Sequence, residues 1–171
     1  MTHNRSKRPQ SGTTLVETAV AATLIAVFFA TIFELNAVCL RYIDASKESV
    51  AALQGVQDRV EALRNLAFTD LTNATFVQTL MATPANGSDF AKTKPTETVT
   101  IWNYNTANKS KVLGTGFTIT RPAGAIVTPS ITPLSSLADV VLVRAKYTWS
   151  MLGGRSGSEQ TETIISSGTK K

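Results

Sequence analysis

The hydrophobic pattern of the chain changes period along its length, and each change marks a new element. From Met1 to Gly12 there are polar and basic residues, Pro9 and no apolar run. Such a segment has nothing to bury and is expected to be disordered or extended. From Thr13 to Phe33 the chain is apolar on all sides. Glu17 is the one charge there, and the sixteen residues from Thr18 to Phe33 carry none. As a helix these 21 residues span about 31 Å at about 1.5 Å per residue, which matches a bilayer core of about 30 Å. Beyond Glu34 the apolar positions thin to a stripe: Leu35, Cys39, Tyr42, Ser46, Val50, Leu53, Val56, Val60, Leu63 and Ala67 recur every three or four residues. Charged and amide side chains fill the intervals, as on a helix with one buried face. No proline occurs between Thr13 and Phe76. The pattern predicts one helix of roughly 54 residues, Thr13 to about Leu66, about 80 Å long. Gly55 is a tolerated weak point or bend in it, costing on the order of 1 kcal/mol against alanine.

The period then shortens to two. Phe68 to Lys94 is rich in Thr, Asn, Ala, Gly and Ser and reads as a connecting loop with a short helix around Phe76 to Met81. Thr96 to Asn105, Gly116 to Arg121, Asp139 to Met151 and Gln160 to Ser166 alternate apolar and polar residues and are rich in β-branched and aromatic types, as strands are. Thr106 to Ser110 is a turn. Pro122 to Ser136, with Pro122, Pro129 and Pro133, is expected to be a long irregular loop. The expected fold is α+β: a long N-terminal helix, half transmembrane and half amphipathic, whose second half covers a small antiparallel sheet of about four strands. The segments are residues 1–12, an appendage; 13–34, the apolar helix; 35–67, the amphipathic helix; and 68–171, a loop-rich β domain.

Charge alters the picture only at the N-terminus. The chain has 17 basic and 12 acidic residues. Arg5, Lys7 and Arg8 lie in the first twelve residues, and without them 14 basic residues face 12 acidic ones, a net of +2. The body is therefore mildly charged, and nucleic acid is not an expected partner. Beside an apolar span the basic leader stays on the cytoplasmic side. The single cysteine, Cys39, rules out an intrachain disulfide and is expected to be a small buried apolar residue. A secretory signal peptide would have a shorter apolar core and a small-x-small cleavage site; here the apolar run is longer and continues without Pro or Gly.

The residues offer little for catalysis. His3, in the leader, is the only histidine, which excludes Ser-His-Asp and Cys-His arrangements and the usual zinc sites in the body. Gly114-Thr115-Gly116 and Gly153-Gly154 read as turns rather than phosphate loops. Asp89, Glu97, Asp139, Glu159 and Glu162 are scattered, without calcium-loop spacing, and are expected at the surface. Trp102, Tyr104, Tyr147 and Trp149 are expected to pack in the core or across strands. The chain is not expected to be an enzyme or to need a cofactor.

The most specific signal is Ser11-Gly12-Thr13-Thr14-Leu15-Val16-Glu17. A short basic leader ending in Gly12, with Leu15 three residues on, Glu17 two further, and an apolar helix behind them, resembles the type IV prepilin and type II secretion pseudopilin family. The resemblance implies cleavage after Gly12 by a prepilin peptidase on the cytoplasmic face and N-methylation of the new terminus at Thr13. It further implies assembly into a helical filament with other pilins through an ATPase and an inner-membrane platform. Thr13 stands where the family usually has phenylalanine or another large apolar residue, and Glu34 interrupts an otherwise apolar segment. A carboxylate embedded in a membrane helix is costly unless paired. Cleavage would create an amine at Thr13, one turn from Glu17, and in a filament Glu17 of one subunit could meet that amine on a neighbour. A paired buried charge fixes register more than it stabilises. The expectation is a minor pilin or pseudopilin, bitopic in the inner membrane, with its C-terminal domain periplasmic or extracellular. Its rivals are a signal-anchored protein with a ligand- or protein-binding β domain and no filament, and a secreted binding domain.

Overall fold

A computed structural model describes residues 14–124, 130–135, 137–151 and 154–169. The chain separates into two compact units, Met1–Tyr42 and Ile43–Lys171. Helix α1, Leu15–Arg64, is one unbroken element of 50 residues, as the absence of proline permits. Its first unit buries nothing. All six buried positions of α1, namely Ala52, Gly55, Val56, Arg59, Val60 and Leu63, lie in the second unit.

In that second unit α1 is followed by α2 (Phe68–Leu71), α3 (Ala74–Met81) and α4 (Asp89–Thr93). Six strands come next: β1 (Thr96–Asn105), β2 (Ser110–Lys111), β3 (Gly116–Arg121), β4 (Ser130–Ser135), β5 (Val140–Ser150) and β6 (Ser156–Ser166). The sheet is antiparallel with order β4-β3-β1-β5-β6, and β2 pairs with the end of β1. Its register sets Val99 opposite Ile119 and Ala145, and Ile101 opposite Phe117 and Val143. These inward residues, with Val141, Tyr147 and Trp149, meet Ala52, Val56, Val60 and Leu63 of α1 and Leu71, Val77 and Met81 of the short helices in one core. Each fully buried Leu, Val or Ile in such a core contributes about 1.5–3 kcal/mol. The result is a two-layer α+β unit in which the second half of α1 covers a curled antiparallel sheet.

Several expectations need correction. The segment 122–136 is not all loop: β4 forms within it. Pro133 is accommodated because β4 is an edge strand, where a missing N–H breaks no ladder bond. The segment 68–94 is largely helical. Asn73 accepts bonds from the Thr75 and Phe76 amides and so starts α3, and the Ser88 hydroxyl accepts from the Ala91 amide and starts α4. The Asn and Ser that suggested turns are N-caps. The stripe expected on α1 also drifts. Val56, Val60 and Leu63 are buried, but Val50 and Leu53 are 57% and 42% exposed, and Ala52 and Arg59 take the inward positions. Gly55 also has a packing role. It faces Tyr147, and a Cβ there would lie 2.6 Å from the tyrosine ring. Gly116 has φ +83°, and a Cβ there would collide with the Ile101 carbonyl, so only glycine lets β3 start against β1.

Candidate functional site

Of the four residues singled out at the N-terminus, Gly12 and Thr13 lie outside the described residues. Leu15 and Glu17 open α1. Leu15 is 85% exposed, and Glu17 is exposed in the first turn. Two residues apart on a helix, they point to different sides. The Glu17 amide donates to the Thr14 hydroxyl at 3.3 Å. Thr14-Leu15-Val16-Glu17 thus has the sequence of a capping box, with the N-cap hydroxyl satisfying one orphan amide and a glutamate three residues on. An acid in the first turn is also favoured by the helix dipole. The spacing that carries the family resemblance therefore has a local helical use too.

Behind this turn the helix is exposed and apolar: Leu24, Ile25, Phe28, Phe29 and Phe33 are each more than half exposed. It is long and apolar enough to cross a membrane, and none of its most apolar window is buried. Three of its threonines are satisfied internally. Thr18, Thr23 and Thr31 donate their hydroxyls to the carbonyls of Leu15, Ala19 and Phe28, so no hydroxyl of the three needs water. Cys39, expected to be buried, is exposed; the first buried position of α1 is Ala52.

The second unit holds a charged cluster that the sequence reading placed elsewhere. Glu97, expected at the surface, is fully buried. Arg59, expected among the solvated residues of α1, is 2% exposed, and Arg121 is 1% exposed. The Glu97 carboxylate accepts from Arg59 Nε and Nη2 and from Arg121 Nε at 3.1 Å. The guanidiniums spend further donors on main-chain oxygens: Arg59 on Leu80 and Thr83, Arg121 on Ala91. Two cations and one anion leave a net positive charge inside, distributed over these carbonyl dipoles. Tyr147 sits beside the cluster with its hydroxyl buried and without a well-formed hydrogen bond, although the Ala85 amide is near enough to favour a negative charge on it. Burial pushes the Tyr147 hydroxyl well above its ordinary range, the Glu97 carboxylate adds to this, and Arg59 and Arg121 oppose it. The arrangement is a structural clasp joining α1, β1 and β3 to the stretch that runs from the end of α3 into α4. Parity gave the signal for it: Glu97 alternates with Val99 and Ile101, and Arg121 with Phe117 and Ile119.

The remaining chemistry is at the surface. Glu48 accepts from the Trp149 indole at 3.1 Å and from Lys94, and Trp149 packs edge-on against Phe90. Beside them lies a shallow groove of about 300 Å³ bounded by Lys47, Ala51, Phe90 and Lys94. On the sheet's other face Trp102 is half-buried with Lys111 and Arg144 against its ring. Among the described residues no group of three His, Cys, Asp or Glu side chains is placed to hold a metal ion. No known protein family, curated protein or solved structure matches the chain. Function must therefore be argued from the residues and the fold.

Proposed function

We propose that this chain is a non-enzymatic minor pilin or pseudopilin: a bitopic inner-membrane subunit cleaved after Gly12 and assembled into a filament through α1. The observation that carries the proposal is the joining of the Gly12, Leu15, Glu17 signal to an unbroken 50-residue helix whose end forms half of an α+β core. A cleaved anchor and a filament spine place different demands on one sequence. The anchor needs an apolar exterior over a bilayer's width; the spine needs the same helix to continue into a folded domain. In this reading Glu17 pairs with the freed amine of Thr13 on a neighbour. Leu15 packs against adjacent helices, and a prepilin peptidase, an assembly ATPase and an inner-membrane platform are the partners. N-terminal sequencing of the membrane-bound protein tests it, with a start at Thr13 expected. Gly12→Val is expected to leave a larger, leader-bearing form. An unchanged size in that variant would sink the processing step. Glu17→Ala is expected to insert normally yet stay out of filaments.

One observation favours a second reading. The bond from the Glu17 amide to Thr14 gives the Thr14–Glu17 spacing a use without any neighbour, as in a signal-anchored protein whose outer domain binds a ligand or protein. An intact leader on the mature chain would select that reading, and a start beyond Phe33 would select a secreted domain.

A further inference from the structure

The sheet has two edges, and they are built in opposite ways. β4 is six residues long, contains Pro133, and pairs with β3 across a register shift between Gly116 and Phe117. Shortness, proline and irregular register are devices that stop an edge from recruiting another strand. β6 has none of them. It runs for 11 residues, and pairs with β5 without interruption from Ser150↔Ser156 to Val140↔Ser166. It contains no proline, lysine or arginine. Among the described residues no strand lies on its outer side. In an antiparallel strand about half the residues turn their N–H and C=O away from the partner, so among the described residues β6 presents an open ladder from Ser156 to Ile165.

The side chains state what kind of strand fits. Trp102, Leu142 and Ile164 form one cross-strand row that ends at this edge, where Ile164 is 51% exposed. Two residues away Glu162 is 39% exposed at its side chain even though Arg144 holds it. Glu159, near the middle of the strand, has no ion pair among the described residues. The edge is therefore acidic with an apolar end. Glu159 and Glu162 lie on opposite faces, in register with Tyr147 and Arg144, and a second β6 docked antiparallel so that either glutamate meets its own copy would set like charges against each other, which destabilises a cross-strand pair. The β4 edge of a second copy lacks an N–H at Pro133.

We propose that the outer edge of β6 is a docking site for an extended, lysine- or arginine-bearing segment of a different protein, which joins the sheet as a further strand. Main-chain bonds supply the attachment. A basic residue of the incoming strand faces Glu159 or Glu162, and an apolar one extends the row ending at Ile164. The inference stands on the Ile43–Lys171 unit and does not require cleavage or filament assembly.

The test uses the full chain in zwitterionic micelles and amide hydrogen exchange read segment by segment. The probe is a ten-residue acetylated peptide alternating lysine and threonine around a central isoleucine. Controls are the same peptide with glutamate for lysine, and the lysine peptide N-methylated at alternate residues on either edge. The lysine peptide is expected to slow exchange in Ser156–Ser166 about tenfold, as strand addition does, and to leave Ser130–Ser135 unchanged. The glutamate peptide and at least one N-methylated peptide should have no effect. No slowing, equal slowing by the glutamate peptide, equal slowing at β4, or full activity of both N-methylated peptides would each overturn the proposal. So would protection of β6 that rises with protein concentration alone, because the occupant would then be a second copy. Gln160→Pro and Thr161→Pro sharpen it. One of these adjacent amides faces outward, and its variant should keep the wild-type melting temperature and lose the peptide effect. A variant that melts as wild type does and has lost its outward amide, yet still responds, would count against edge docking.

Discussion

The two halves of α1 are equally helical, but for different reasons. From Leu15 to Tyr42 the helix buries no residue. As far as Phe33 it is apolar on all sides, and its threonines bond to their own backbone. From Ile43 to Arg64 it is helical because one face is claimed by a sheet, and even an arginine on that face, Arg59, is drawn inward and paired. The first half depends on its surroundings for a partner, and the second carries its partner in the same chain. The stripe of spacing three and four that begins at Leu35 looks alike on both sides of Ile43. What separates them is whether the chain supplies a second layer.

That contrast can be broken from the second half outward. The largest effect is expected from Glu97→Ala, which leaves Arg59 and Arg121 buried without their anion. Removing one partner of a buried ion pair costs about 3–5 kcal/mol. Thermal unfolding of the full chain in micelles, followed by near-ultraviolet circular dichroism, should show the loss. Stability within about 1 kcal/mol of wild type would mean the cluster is not a clasp. Gly55→Ala comes next. The gain in helix propensity is about 1 kcal/mol, but a methyl at 2.6 Å from the Tyr147 ring overpacks the layer at about 1–3 kcal/mol, so net destabilisation is expected in the same assay.

Tyr147→Phe should change stability at neutral pH by about 1 kcal/mol or less, because the hydroxyl it removes has no well-formed partner. Its larger consequence is in alkali. The folded chain holds this phenol protonated above the pH, about 10, at which the unfolded chain releases the proton. The unfolded state therefore binds fewer protons there, and stability falls as pH rises from about 10. The phenylalanine variant should show a shallower fall between pH 10 and 12, and parallel curves would contradict the buried-phenol account. The smallest effect is expected from Ile25→Ala, in the first half of α1. It should leave unfolding of the second unit within about 0.5 kcal/mol of wild type. A larger change would erase the distinction between the halves.

The long helix and the sheet were legible because period and β-branched content agree over many residues, as from Val140 to Ser150. The failures share a cause. Arg59 and Glu97 were assigned by charge when position should have decided, and Arg121 was not singled out; each of the three falls on the inward parity or face of its element. Charge forbids burial only where no counter-charge is available, and no local window shows that these three converge from 24 and 38 residues apart. Asn73 and Ser88 were read as loop formers, although the same side chains cap helices. β4 was hidden by proline, which excludes a central strand but not an edge. At the N-terminus the Gly12, Leu15, Glu17 spacing is a reading of sequence alone, and what the structure adds is the Thr14 cap that part of this spacing also encodes.

The clasp grips the stretch from the end of α3 into α4 through the oxygens of Leu80, Thr83 and Ala91, which every amino acid carries. Its hold does not depend on which side chains stand there. The outward positions of this segment can therefore drift, or be rewritten by design, while the attachment stays fixed. An exposed stretch anchored by its main chain gives the protein a place where identity can diversify without loss of shape.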